Sequence, residues 1–565
     1  MLALTLNPGF VLIIAAMLIV ALPKPARAPV MGVAAMVSLW LLLDYEFGAA
    51  STMAQMGLPV VLLDLDALNR VFGIGFLIAL VLLSIYASAR RNRMEDAAIL
   101  LMAGGAVSAL FVGDLISFLA ALSLAGLASA WIVFASDQRG ASAAGVRVLV
   151  WHGIEGLLFL LGIALHLSAR ADNSMFDRLD LRTIDGGFIF LGLMIRLGAP
   201  LAHVWLKDAV SHASSAGAVA LSVFPSLLGL YALARLFPAE PALMLAGAGM
   251  VVIGLVFMAA EDDLRRAAAY AQTSQLGVCV ALLGVGAPLA RAGAEAHAFT
   301  LIFSFALLQM ALGAACARIG EVRLSALGGL GRAMPITAAL MFVGGLTVAA
   351  TPGFGAYISY AVALEAASSW ELRWLWTMFA VASAASIVCL ALRPALAAYF
   401  PIDAPAPFRE APFPMLLGAI TTAFFCLAMG LAPGWLYRLT ATQVHFAPFA
   451  LDRLAPHLSM LGSACVAYLL LRAFRLTPGP ARVALMDMDT FYRGPVAAAG
   501  RWIGIVLIRL SGAWGAASAR ASQHSGRVLS AFARACDRPY ADRLSGAIQF
   551  AAIGAILALV LLAKR

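Results

Sequence analysis

Apolar runs recur along this chain from end to end, and none of them alternates apolar and polar residues with a period of two. Runs at 8–23, 29–43, 71–88, 96–112, 115–135, 147–166, 187–204, 213–236, 241–259, 268–287, 297–317, 374–392, 414–432, 456–473 and 547–562 approach the ~20 residues a helix needs to cross about 30 Å of hydrocarbon. Residues 334–368 form one longer run, interrupted at Thr351-Pro352-Gly353. The pattern predicts an all-α fold, a polytopic membrane helix bundle of about 15–16 spans. Strands are not expected, because a membrane barrel needs the missing two-residue period.

A proline beside a glycine deep inside an apolar run would strand backbone groups where no water can reach them. Pro352 and Gly353 therefore predict a helix broken in mid-membrane, facing a polar cavity. Pro225 is a second candidate break, for which a simple kink serves as well. Residues 1–474 read as one bundle. In 475–546 the apolar residues are broken by arginines, and Trp502, Ile503, Ile505, Ile508 and Leu510 beside Arg501 and Arg509 read as an amphipathic segment on the cytoplasmic side. Residues 547–565 read as a C-terminal transmembrane anchor.

Composition agrees. Of 565 residues 63% are hydrophobic and only 12% are charged, too few to cover a soluble surface. The net charge of +9 is laid out by topology. Lys24 and Arg27, then Arg90, Arg91 and Arg93, then Arg139 and Arg147, then Arg265 and Arg266, then Arg318, Arg323 and Arg332 fall in alternate loops, and Asp44, Glu46, Asp114, Glu240 and Glu295 in the others. The positive-inside rule puts the N-terminus outside, in a bacterial-type inner (plasma) membrane. The expected surroundings are lipid and other membrane subunits, with no nucleic acid. The first 23 residues lack a basic n-region and a small-residue cleavage site, so they read as a helix and not a signal peptide.

The six cysteines stand singly, with no CxxC or Cys/His cluster, so no metal, iron–sulfur or haem ligation is expected and no cofactor is assigned. No nucleophile–base constellation marks an active site. Any oxidoreductase or translocase activity would belong to a larger assembly.

Four stretches carry a family resemblance. Residues 200–208, PLAHVWLKD, resemble the "PLHxWLPDA" signature of antiporter-like membrane subunits, and 263–277, DLRRAAAYAQTSQLG, resemble "DLKRLLAYSSISQMG". Residues 327–359, from Leu327 through Met334-Pro335 to Thr351-Pro352-Gly353-Phe354 and Ser359, resemble "LGGLxRxMPxT…GLPPFSGFxS". Asp487 to Arg493 resembles a "DxDxxYR" element of Mrp subunits. The chain is thus identified as similar to the antiporter-like subunits of Mrp cation/proton antiporters and of complex I (NADH:quinone oxidoreductase), most like the D-type member of the Mrp set.

The resemblance implies a proton- or sodium-translocating subunit built from two repeats, each with a broken helix. It also implies a row of buried carriers, and here this chain departs from the pattern. The family's glutamate in its fifth helix falls on Ser123. Its central lysine, seven residues before the signature histidine, falls on Arg196, which stays protonated where a buried lysine can release its proton. The bridging lysine of the next helix falls on Leu227, the lysine or glutamate after the broken helix on Tyr360, and the histidine of helix eleven on Phe305.

Other ionisable residues stand in the apolar runs. Glu155 lies mid-span with His152 three residues before it, a spacing that puts both on one helix face. A carboxylate at that depth costs roughly 2.5–3.5 kcal/mol or more unless paired or hydrated. It reads either as an ion-path acid or as a packing pair with a neighbouring arginine or tryptophan. If it replaces the lost acid, it should lie within about 4–6 Å of Arg196 or His203, or face a hydrated cavity. His203, Lys207 and His212 read equally as path residues or solvated helix ends, Arg196 equally as a gate or a snorkelling arginine. Glu365 sits nearer a helix end. Two functions stay open: an ion-translocating subunit with a path rebuilt through Glu155, Arg196 and His203, and a non-conducting structural subunit that binds its partners.

Overall fold

The apolar runs become helices where a capping side chain or a proline can start one. The computed structural model describes residues 6–476 apart from 49, 56–57, 90–91, 170–174 and 401–408, together with 492–496, 498, 502 and 505. In chain order the helices are α1 (Pro8–Ala21), α2 (Lys24–Asp44), α3 (Ala67–Ala87), α4 (Arg93–Phe111), α5 (Leu115–Phe134), α6 (Ala141–Ala169), α7 (Ile184–Leu197), α8 (Val204–His212), α9 (Ser215–Leu236), α10 (Pro241–Ala260), α11 (Leu264–Val285) and α12 (Pro288–Ile319). They continue as α13 (Leu330–Ala333), α14 (Pro335–Val348), α15 (Gly355–Ser369), α16 (Arg373–Ser386), α17 (Arg393–Tyr399), α18 (Phe413–Leu431), α19 (Pro433–Leu439) and α20 (Leu451–Ala473).

The starts have local causes. Asn7 accepts from the Gly9 N–H ahead of Pro8, and Asp66 and Asn69 form a reciprocal capping box on α3. Asp114, Thr183, Ser214 and Asp263 cap α5, α7, α9 and α11 with their side chains.

Among the described residues, 12 helices are long and apolar enough to cross a membrane. The other expected runs fall on the shorter α1, on α7 and on the α14–α15 pair, while 547–562 lies outside the described residues. The amphipathic segment around Arg501, Arg509 and Arg520 lies largely outside them too. The chain divides into two units, Met1–Asp487 and Met488–Arg565; in the second, Tyr492–Val496 form a π-helical turn.

One element departs from the expected all-helical pattern. Ala50–Gln55 and Leu58–Asp64 pair as an antiparallel hairpin (β1, β2). Its run is too short for a spanning helix, and Asp114 holds it by accepting the Val61 N–H at 2.8 Å while also capping α5 through Ser117.

Within Met1–Asp487, α9, α11 and α12 are the innermost helices. All of the apolar stretches of α9 and α12 are buried, whereas α6 and α20 are largely peripheral. Helices approach closely where glycine removes a side chain, since apolar lipid offers no solvent-driven attraction between them. A Cβ at Gly247 of α10 would lie 2.3 Å from the Ala281 nitrogen of α11.

Two helices are broken. The first break lies between α7 and α8, where Gly198 and Leu201 take positive φ of 74° and 76°. The second lies between α14 and α15, where Ala350 and Gly353 do so at 54° and 97°, at the Pro352-Gly353 pair named by the sequence. Pro225 does not break its helix: α9 runs from Ser215 to Leu236 through it. The break in that part of the chain falls instead on Pro200 and the residues around it.

Candidate functional site

Each break frees backbone carbonyls that must find donors inside the bundle. At the first, the Trp205 indole N–H donates to the Ile195 carbonyl at 2.7 Å. At the second, the Ser383 hydroxyl donates to the Ala349 carbonyl at 2.7 Å, and His457 Nε2 lies 2.9 Å from the Ala350 carbonyl. The fixed backbone then positions side chains around it.

Arg196 lies in the last turn of α7, two residues before Gly198. Its Nε donates to Glu155 Oε1 at 2.6 Å and its Nη2 to the Leu122 carbonyl at 3.0 Å. His152 Nδ1 lies 2.9 Å from Glu155 Oε2. Both charged groups are sealed, with side-chain exposures of 0% for Glu155 and 1% for Arg196. The carboxylate accepts and does not donate, so His152 carries a hydrogen on Nδ1, and its Nε2 is buried without a protein partner. The His152 ring packs on Trp205 at 4.8 Å between centroids.

Glycines make room for this cluster. A Cβ at Gly229 of α9 would meet Arg196 Cγ at 2.9 Å, and one at Gly126 of α5 would meet Arg196 Nη2 at 3.1 Å. Ser123 is half-buried across from Gly156 of α6.

The other candidates on α8 face a different neighbour. The ring centroid of His203 lies 6.0 Å from those of both Phe257 and Tyr270, and the Lys207 ammonium lies 5.8 Å from the Tyr270 ring. Asp208 pairs with Arg147 at 2.5 Å. His212 Nδ1 contacts Ser211 Oγ at 3.0 Å and the Asp208 carbonyl at 2.9 Å, beside a cavity of about 310 Å³ that Arg265 and Arg266 also line.

Leu227 is buried and apolar. Tyr360 is buried with its hydroxyl donated to the Phe379 carbonyl at 2.6 Å. Glu365, near its helix end, pairs with Arg453 at 3.2 Å.

Sequence reasoning passed over further ionisable groups. His297 of α12 is fully buried, with Nδ1 3.0 Å from Ser359 Oγ and Nε2 3.1 Å from Gln275 Oε1. Its ring lies 5.3 Å from that of Tyr360. Glu95 of α4 is buried at the start of α9, where it accepts from the Gly217 N–H at 3.2 Å and from the Ser214 hydroxyl. For His297, at the start of the 297–317 run, the signal was available: an ionisable residue in an apolar run, the rule that picked out Glu155; Glu95 lies just before its run.

Between the two breaks the central helices carry a seam of neutral polar groups. The hydroxyls of Ser222, Ser226 and Ser274, Gln272 Oε1 and both polar atoms of Gln309 are buried without a protein partner. Such groups in a polar interior are where ordered water binds. No group of three or more His, Cys, Asp or Glu suited to a metal occurs among the described residues.

Residues 112–386 match the family described as NADH:quinone oxidoreductase/Mrp antiporter, TM. The NAD(P)H-quinone oxidoreductase chain 4 1 of Synechococcus elongatus is 30% identical over 222 residues, which is 36% of this chain and 41% of that relative. The match thus spans about two fifths of the relative's length. A chain of the Mrp complex from Dietzia sp. DQ12-45-1b superposes with a TM-score of 0.67 at 18% identity, covering 81% of this chain and 99% of that one. A chain of the membrane-bound sulfane sulfur reductase, an archaeal respiratory membrane complex, does so with a TM-score of 0.70 at 20% identity and covers 99% of both chains. At these identities the two structures speak for the fold.

Proposed function

We propose that this antiporter-like membrane subunit of the Mrp and complex I superfamily translocates protons or sodium ions within a larger membrane assembly, along a path set by its two broken helices. The observation that carries the reading is the sealed Glu155 carboxylate, held between a guanidinium and an imidazole. Arg196 supplies a charge that does not leave. His152 supplies a ring nitrogen, Nε2, that is buried without a protein partner and can accept a proton. Glu155 holds the imidazole in one tautomer.

The path is rebuilt and not inherited. Lysine carriers are replaced by imidazoles, His152 at the first break and His297 at the second, with the water-binding seam of α9, α11 and α12 between them. His203 and Lys207, against Tyr270, form a second group on the same broken helix. Kinship to the D-type member of the Mrp set, an N-terminus outside, a bacterial-type inner membrane and partner membrane subunits belong to the same reading.

The second reading, a non-conducting subunit that braces its partners, is favoured by one specific observation. Leu227 is buried and apolar, and the Tyr360 hydroxyl is already committed to a carbonyl. Ion flux through vesicles holding the assembled complex separates the two, with Glu155→Gln as the informative variant.

A further inference from the structure

Away from the Glu155 cluster, a cavity of about 180 Å³ lies between α15 and α20. Its lining includes Tyr357, Glu365, Trp376, Asp452, Arg453 and His457. Glu365 and Arg453 are each about one-third exposed, at 36% and 30% of their side chains, so the cavity meets the surface at its charged end. The other end is His457, 5% exposed.

The hydrogen bonds of His457 fix its chemistry. Its Nε2 lies 2.9 Å from the Ala350 carbonyl at the second break. A carbonyl only accepts, so Nε2 carries the hydrogen and the Nδ1 of the neutral ring is a bare lone pair. That Nδ1 is buried with no protein partner. An acceptor left bare at the inner wall of a cavity with an acidic rim is placed to take a proton.

Glu365 of α15 and Asp452 of α20, the helix of His457, outnumber Arg453, leaving one net negative charge among the charged lining residues. Tyr357 and Tyr360 of α15 pack their rings 5.3 and 6.4 Å from the imidazole. Their hydroxyls donate elsewhere, to the Pro448 carbonyl at 2.7 Å and the Phe379 carbonyl at 2.6 Å. The lining residue from α16, Trp376, brings no charge. Inward, the Tyr360 ring stands between His457 and His297, at 5.3 Å from the latter.

We propose that His457 is a proton-binding site at one mouth of the path, loaded through this cavity. A hydronium ion attracted by Glu365 and Asp452 gives its proton to Nδ1 and leaves as water. Nε2 keeps its hydrogen on the Ala350 carbonyl, and the ring becomes imidazolium. The charge then strengthens the bond to Ala350, so loading tightens the second break. With the basic loops inside, the cavity opens outward. The direction of proton use rests on the translocation reading; the protonation itself does not.

The test is nitrogen NMR of the full-length chain in lipid with labelled histidine, the His457 signal being assigned by its loss in His457→Gln. The glutamine keeps a donor for Ala350. The expected result is a ring that passes from the Nε2–H form to the doubly protonated form as pH is lowered from about 8 to about 4. A His457 signal fixed in one form across that range overturns the site. Flux separates this inference from its premise. If Glu155→Gln stops proton flux through the assembled complex and His457→Gln does not, His457 is off the path and the inference falls. If Glu155→Gln leaves flux intact, the translocation reading falls, and the titration alone decides the site.

Discussion

Arg196 Nε and Glu155 Oε1 face each other at 2.6 Å across the α6–α7 contact, in a place where neither side chain reaches solvent. Two charges taken out of water recover that cost only through close geometry and further hydrogen bonds. Glu155 has them, with His152 on its second oxygen. Arg196 adds a bond to Leu122, while its Nη1 is left without a protein partner. The pair is held by mutual need, which makes each member costly to remove.

Arg196→Ala is therefore expected to destabilise the subunit by about 3–5 kcal/mol, because it strands a buried carboxylate. Thermal unfolding of the purified chain in detergent reads this directly. A change below about 1 kcal/mol, the scale of an exposed pair, would contradict the buried pairing.

The second break makes a prediction about two glycines. Gly353 has φ of 97° and open space where a Cβ would go, so Gly353→Ala should cost only backbone strain of about 1–2 kcal/mol. Gly430 of α18 packs on it, and a Cβ there would lie 2.2 Å from the Gly353 carbonyl oxygen. Gly430→Ala must push backbone apart, with a penalty toward or beyond the upper end of the usual overpacking range of about 1–3 kcal/mol. Equal losses in the two variants would argue against this contact.

Much of this was legible in the sequence, for identifiable reasons. Spanning helices follow from run length alone, and Pro352-Gly353 announces its break because the pair fits no membrane helix. The first break was harder to see. Gly198, Pro200 and Leu201 sit at the end of an apolar run, where a helix could simply stop, and Pro225 looked like a candidate although α9 absorbs it. The pairing of Glu155 with Arg196 depends on two residues 41 apart in sequence meeting across the α6–α7 contact, and only the nearness of His152 has a local period behind it. His457 was illegible because its meaning comes from Ala350, 107 residues earlier.

Tyr360 tests whether a buried phenol beside His297 takes part in the path. Tyr360→Phe removes a donor from the Phe379 carbonyl and should cost about 0.5–1.5 kcal/mol of stability. Ion flux should not change, since tyrosine releases its proton only near pH ~10 or above. Loss of flux in an assembled, stable variant would give Tyr360 a role that this account denies it.

Orientation is checked by cysteine labelling in a cysteine-free background. A probe at Gln138, in the loop with Arg139, should react from the cytoplasmic side only, and one at Glu240 from the opposite side only. The reverse pattern would invert the topology, and would move the mouth near His457 to the cytoplasmic side.

The central claim, that ions pass through this subunit by way of the Glu155 cluster, is tested most directly by proton or sodium flux in vesicles carrying the assembled complex. Three forms are compared at equal assembly: the natural chain, Glu155→Gln and Glu155→Asp. The account predicts that flux falls to the background of empty vesicles in Glu155→Gln and is partly kept in Glu155→Asp, which retains the charge beside Arg196 and His152. Undiminished flux in Glu155→Gln would contradict it and leave the chain as a structural subunit of its assembly.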